Sequence, residues 1–365
     1  MAARDSTRQD ARQLLAVLAG DAYTTLSSVH GASTLCWRQY SADAFTLQSL
    51  TTDDEVNAIS ILDRCIITTG GASRLDLIHE LIVRYQHKLP ASLPSDPADF
   101  AIESSSSPLL ASSSHPVLSL PVPPTFSAFV ARHCNAPFVS RGHASDWPAL
   151  TEHPWRSPAY LLSASGPARI VPVEVGADYR SVNWKQELMA WDKFLHSLRH
   201  PEGDPIYLAQ HNLFTQFPAL QSDIIVPDYA YASPPSPKDY PAYRPPGNED
   251  QLVLNAWLGP KGTMSPAHTD PYFNLYTQVV GRKTVWLAPP TCSQDMSAST
   301  DQMLGNTSVV DVFASLDKLD EAFVERVVPQ AMHITLEPGD TLFFPPGWWH
   351  AMRAEDVSFS VSMWF

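Results

Sequence analysis

Apolar positions follow a helical period through the first quarter of the chain, then give way to short β-branched runs set between glycines and prolines. Residues 10–19 hold Leu14, Leu15, Val17 and Leu18 among good helix formers and predict a helix ending at Gly20. Residues 54–69 place Val56, Ile59, Leu62 and Ile66 near helical spacing. Residues 73–85 set Leu77 against Leu81 and Ile78 against Ile82, one turn apart. Residues 1–90 therefore read as a helical region. No repeat period emerges, so a bundle and a short solenoid of helix pairs both stay open. A structural appendage is the plain reading of these helices, and substrate docking is the alternative.

Residues 91–124 change character, with Pro94, Pro97 and the serine runs at 104–107 and 112–114. This is linker composition and predicts a domain boundary. From 125 to 365 the pattern is mixed, then strand-dense. A short helix is predicted at 125–130, strands at 136–140, 170–176 and 206–210, and a helix at 184–198. Residues 233–250 carry six prolines, among them Pro234, Pro237 and Pro246, and read as a surface insertion, because proline cannot donate to a sheet ladder. Further strands are predicted at 251–258, 273–280, 283–288, 334–336, 341–344 and 357–363. Turn signals at Gly281, 338–340 and 345–347 separate many of them. Many short strands with such turns indicate a mainly-β domain, a double-stranded β-helix of jelly-roll or cupin type, behind an α-helical region.

Composition narrows the partners. The hydrophobic fraction of 44% is ordinary for a globular protein, and no apolar run approaches the roughly 18 residues that span a bilayer. No membrane partner is expected. Residues 1–10 are polar and lack the apolar core of a signal peptide, so a nuclear or cytosolic location is the expectation. Cys36, Cys65, Cys134 and Cys292 are far apart and form no CxxC pair, which argues against a zinc ribbon and for plain thiols. A net charge of −14 disfavours direct binding to nucleic-acid phosphates and is compatible with a basic protein partner.

The chemistry gathers around residues 265–270, Ser-Pro-Ala-His-Thr-Asp. On an extended segment His268 and Asp270 point to the same face, because strand side chains alternate. With a distant third ligand they suit a 2-His-1-carboxylate iron(II) site that keeps open positions. His350, behind the turn at Pro346-Gly347, is the candidate third ligand, and His333 is a weaker one. Taken singly, each histidine is as well explained by ordinary hydrogen bonding. Arg282-Lys283 reads by composition as a solvated hairpin tip. The sharper reading buries Lys283 and pairs it with a dicarboxylate such as 2-oxoglutarate. Glu174 interrupts an apolar β-branched run; it faces either solvent or a cationic substrate side chain. No GxSxG elbow, P-loop or Rossmann fingerprint occurs.

Taken together, these residues resemble the JmjC family of iron(II)- and 2-oxoglutarate-dependent oxygenases. Within it they resemble most the branch that includes arginyl hydroxylases. The likeness runs through Val171-Pro172-Val173-Glu174-Val175-Gly176, residues 207–211, Asn255-Ala256-Trp257, residues 259–266 and 274–283, Asn306-Thr307-Ser308 and residues 357–362, in that order. By that resemblance His268, Asp270 and His350 hold iron(II). Tyr207, Ser265, Asn274 and Lys283 bind 2-oxoglutarate, with Lys283 on its distal carboxylate. Glu174, Gln210 and Trp257 line a pocket for a basic side chain. The implied activity is O2-dependent hydroxylation of an arginine side chain in a protein or peptide, such as a histone or another basic protein. Demethylation of methyl-lysine through hydroxylation at the N-methyl group is the first alternative, and a catalytically silent reader of basic peptides the second. Thr269, Tyr272 and Phe273 depart from the branch, where glutamine is commoner; Tyr272 and Phe273, expected near the metal, would alter side-chain selectivity.

Overall fold

A computed structural model describes residues 2–26, 28, 33–90, 98–102, 110–301 and 304–365. Four helices come first: α1 (Ala2–Leu26), α2 (Ser33–Ser49), α3 (Glu55–Thr69) and α4 (Leu75–Gln86). Each packs on the next in chain order. The predicted stop at Gly20 is corrected, because α1 runs through it. A helical glycine costs about 1 kcal/mol, and Ala19 and Ala22 on either side of it are fully buried. The first turn of α3 is capped by the Asp54 carboxylate, which accepts from the Val56 amide, and its last by Gly70 in the left-handed region. Ala42, Ile59, Leu62, Cys65, Ile66, Ile78 and Ile82 form the core of this layer.

The remaining described chain folds as a double-sheet barrel. Its strands are β1 (His115–Pro116), β2 (Leu118–Leu120), β3 (Phe138–Ser140), β4 (Ile170–Val175), β5 (Lys185–Ala190), β6 (Ile206–His211), β7 (Val253–Gly259), β8 (Met264–Thr269), β9 (Asn274–Val280), β10 (Lys283–Ala288), β11 (Met332–Leu336), β12 (Thr341–Phe344), β13 (Trp349–Ala354) and β14 (Ser358–Trp364). One sheet runs β1-β11-β10-β13-β8 and the other β2-β3-β12-β9-β14-β7-β6-β4-β5. Between them Val285, Leu287, Tyr276, Leu336, Leu342, Phe344 and Met352 fill the interior.

Two expectations change here. Residues 91–97 and 103–109 of the predicted linker lie outside the described residues, but 110–120 belong to the barrel. β1 pairs in parallel with β11, and β2 with β3. Buried Ser112 ties this stretch down: its hydroxyl donates to Val312 O, and its carbonyl accepts from Trp286 Nε1. The helix predicted at 184–198 is a strand, β5, followed by the helix Trp191–Arg199. Pairing with β4 along its whole length overrides the helix-forming residues of β5. The proline-rich segment 233–250 contains no strand and is exposed at most of its positions, with a few side chains anchoring it. Pro234, Pro237, Tyr243 and Pro246 are buried, and the Tyr243 ring meets Phe273 edge-on at 4.8 Å.

Candidate metal centre and its surroundings

β8 and β13 are antiparallel neighbours whose register sets His268 directly opposite His350. Their rings lie 4.2 Å apart. Asp270 follows β8, where its carbonyl accepts from the Gly347 amide at 2.8 Å. Its carboxylate lies 4.0 Å from His268 Nε2 and 3.4 Å from His350 Nε2. One donor atom from each of the three residues falls within 4.8 Å of the others, a spacing that can hold a metal ion.

The tautomers suit that use. Nδ1 of His268 is 2.7 Å from Pro266 O, and Nδ1 of His350 is 3.0 Å from Trp348 O. A carbonyl only accepts, so both Nδ1 atoms carry hydrogen, and Nε2 of each ring is the atom turned toward Asp270. Burial, helped by the neighbouring His350, pushes His268 down to about 4. Burial raises the Asp270 carboxyl, but the hydrogen bond with His350 and the two imidazoles outweigh it, and the net shift is downward. His333 stands elsewhere: it lies on β11, and its Nδ1 is bonded to Ser113 Oγ.

Deeper in the barrel, the hairpin between β9 and β10 is not the solvated tip that composition favoured. Arg282 is 5% exposed and ion-paired with buried Asp356. Lys283 is 2% exposed and donates to Tyr276 Oη at 2.8 Å. Burial pushes Lys283 down to about 7, and no carboxylate faces it among the described residues. Asn274 and Ser265 are also buried here, and the Asn274 Oδ1 has no hydrogen-bond partner among the described residues. Tyr207 completes the wall, its ring 5.8 Å from Lys283 Nζ. A buried ammonium held by a phenol oxygen fits a small dianion, which would supply its opposite charge.

Glu174 sits half-buried on β4, opposite Tyr207 on β6. Trp184 Nε1 donates to its carboxylate at 3.2 Å, and desolvation raises its pKa against the hydrogen bonds from Trp184 and Gln186. Trp257 is anchored by its indole N–H on Ser362 Oγ, with its ring 6.2 Å from that of Tyr207. Gln210 is exposed and left-handed (φ 48), at the irregularity where β6 and β7 lose register. Phe273 is fully buried in the aromatic core with Phe343 and Phe365, and Tyr272 packs on Trp364.

Sequence reading passed over three contributors. Tyr276 reads from sequence as a core position of β9. Trp184 falls in the stretch whose composition predicts a helix. Tyr179 lies on the β4–β5 connection; its hydroxyl reaches Thr307 Oγ1 at 3.3 Å, and Thr307 is bridged to His268 by backbone pairing. The neighbouring Arg180 bonds Ser308 O, so this connection is tied to the rim of the metal centre.

Comparison with known proteins agrees with this architecture. A family profile described as a cupin-like domain matches residues 124–365. Jumonji C domain-containing protein 5 of Drosophila melanogaster is 41% identical over 227 residues, 60% of this chain and 52% of that protein. Lysine-specific demethylase JMJ30 of Arabidopsis thaliana is 39% identical over 233 residues, 63% of this chain and 49% of that protein. Lysine-specific demethylase 8 of Danio rerio is 38% identical over 235 residues, 63% of this chain and 53% of that protein. The chain spans about half the length of the curated relatives it matches.

Proposed function

We infer that this chain, which belongs to the cupin-like domain family as a JmjC protein, is an iron(II)- and 2-oxoglutarate-dependent oxygenase that hydroxylates an arginine side chain of a protein substrate. The observation that carries the reading is Lys283: a buried cation that faces no carboxylate among the described residues, in the same barrel as a His-Asp-His cluster. Iron(II), with 2-oxoglutarate and O2, supplies oxidation of an unactivated C–H bond while the co-substrate leaves as succinate and CO2.

Everything else falls to the chain's own residues. His268, Asp270 and His350 would hold the ion, each imidazole fixed by its backbone carbonyl and Asp270 by the Gly347 amide. Lys283 and Tyr276 would take the distal carboxylate of 2-oxoglutarate, with Ser265, Asn274 and Tyr207 around its remaining oxygens. Glu174, steadied by Trp184, would receive a cationic side chain beside the Trp257 ring, where a guanidinium gains both a charge partner and an aromatic face. Gln210, at the exposed end of β6, would contact the peptide. Trp257, Tyr207 and Phe344 keep water from the interior, which strengthens each of these electrostatic contacts.

The relatives called lysine-specific demethylases support a second reading, N-demethylation of methyl-lysine. Turnover of a peptide library followed by mass spectrometry separates the two. A gain of 16 mass units without formaldehyde is expected for arginine hydroxylation. A loss of 14 with formaldehyde would replace it with the demethylase, and no change on any Arg- or Lys-containing peptide would sink both.

A further inference from the structure

The helical layer meets the barrel around a buried charge. Asp63 of α3 is fully buried, and its carboxylate takes the Arg169 guanidinium at 2.6–3.0 Å. Its Oδ2 also accepts from the Ile170 amide at 2.9 Å, the first residue of β4. Arg169, 5% exposed, passes the contact inward: Nη2 donates to Gln216 O at 2.9 Å, and the guanidinium stacks on the Phe217 ring. The side chain of buried Gln216 then joins two strands. Its Nε2 donates to Ile170 O at 2.6 Å, and its Oε1 is 2.7 Å from His211 Nε2. His211 ends β6, next to Gln210.

β4 carries Glu174 and β6 carries Tyr207 and Gln210. We propose that Asp63 is a positioning residue for the basic-side-chain pocket: through Arg169, Gln216 and His211 it fixes the ends of the two strands that carry Glu174 and Gln210. The helices then form part of the pocket's framework rather than an appendage. The inference rests on the proposed pocket for its kinetic consequence, but not for its structural one. Without that carboxylate the guanidinium stays enclosed without its counter-charge and the Ile170 amide loses its acceptor.

The test uses the full chain with Asp63→Asn, a shape-conserving change, and Gln216→Met, which breaks the inner end of the relay and leaves the helical layer untouched. Gln86→Ala is the contrast, since Gln86 bonds Ser165 O and Pro167 O at the same junction without reaching β6. Both relay variants are expected to raise KM for an arginine peptide about 2- to 30-fold, with kcat and the apparent KM for 2-oxoglutarate held. Amide hydrogen exchange should speed up at 170–175 and 206–211 and stay unchanged at 264–269. Wild-type KM in folded Asp63→Asn, or an equal rise in Gln86→Ala, would overturn the proposal. If Asp63→Asn does not fold, Gln216→Met decides by the same criteria. If the wild-type protein oxidises no basic peptide, the pocket reading fails on its own. The exchange measurement, which needs no substrate, still decides the inference: unchanged protection at 170–175 and 206–211 contradicts it.

Discussion

At the scale of single residues, Lys283 matters most, because a buried ammonium that faces no carboxylate among the described residues works against the fold. Replacing it by methionine should therefore have two opposite effects. The thermal midpoint of the ligand-free protein should rise, because an uncompensated charge leaves the interior. Affinity for 2-oxoglutarate should fall by one to two orders of magnitude, since a charge-assisted hydrogen bond contributes about 1.5–3 kcal/mol. Calorimetric titration and a melting curve on the same sample check both. The pH dependence has a definite sign. Lys283 titrates near 7 in the fold against an ordinary value of 10.5, so between those values the unfolded chain binds more protons. Its contribution thus makes stability climb as pH rises from about 7 to about 10.5, and the full penalty is present below 7. A dianion favours the charged form, so 2-oxoglutarate binding should take up a proton above pH 7 and weaken as pH rises. Equal binding enthalpies at pH 8.5 in buffers of different ionisation enthalpy would contradict this.

At the scale of elements, the hairpin between β9 and β10 delivers Lys283 to its place. Gly281 turns it in the left-handed region, where a methyl group would collide with the Val357 carbonyl. Gly281→Ala should cost at least about 1–2 kcal/mol from backbone conformation alone, and urea unfolding measures it. The neighbouring Arg282 stays buried because Asp356 receives its backbone and side-chain N–H groups. Such details mark the limit of what the chain's pattern discloses. β-branched runs identified β4, β9 and β10 nearly to the residue, and the alternation of His268 and Asp270 was enough to place both on one face. β13 has no β-branched residue and is a strand because β8 and β10 pair with it on both sides. β5 is built from helix formers, and only its partner β4 extends it. The burial of Arg282 and the seating of β1 depend on contacts more than fifty residues away, which no local pattern carries.

At the scale of the whole molecule, two layers share one buried junction. Deleting the Asp63 carboxylate with alanine leaves Arg169 charged and enclosed. Loss of one partner of a buried pair costs about 3–5 kcal/mol. Chemical unfolding should therefore lose stability on that order, far beyond what the exposed pair Arg84–Glu80 contributes to α4. The helical period of residues 54–69 foretold α3 but not the role of Asp63, since a carboxylate on an apolar helix face declares its partner only in three dimensions.

The central claim is that the His-Asp-His cluster and Lys283 form one oxidative centre. Its most direct measurement is conversion of 2-oxoglutarate to succinate by the purified chain, with iron(II) and O2 and with each withheld. Conversion should need both, be abolished by His268→Ala, and return toward wild type in Lys283→Met only at much higher 2-oxoglutarate. Conversion that survives His268→Ala, or none at all in iron-loaded wild-type protein, would contradict it.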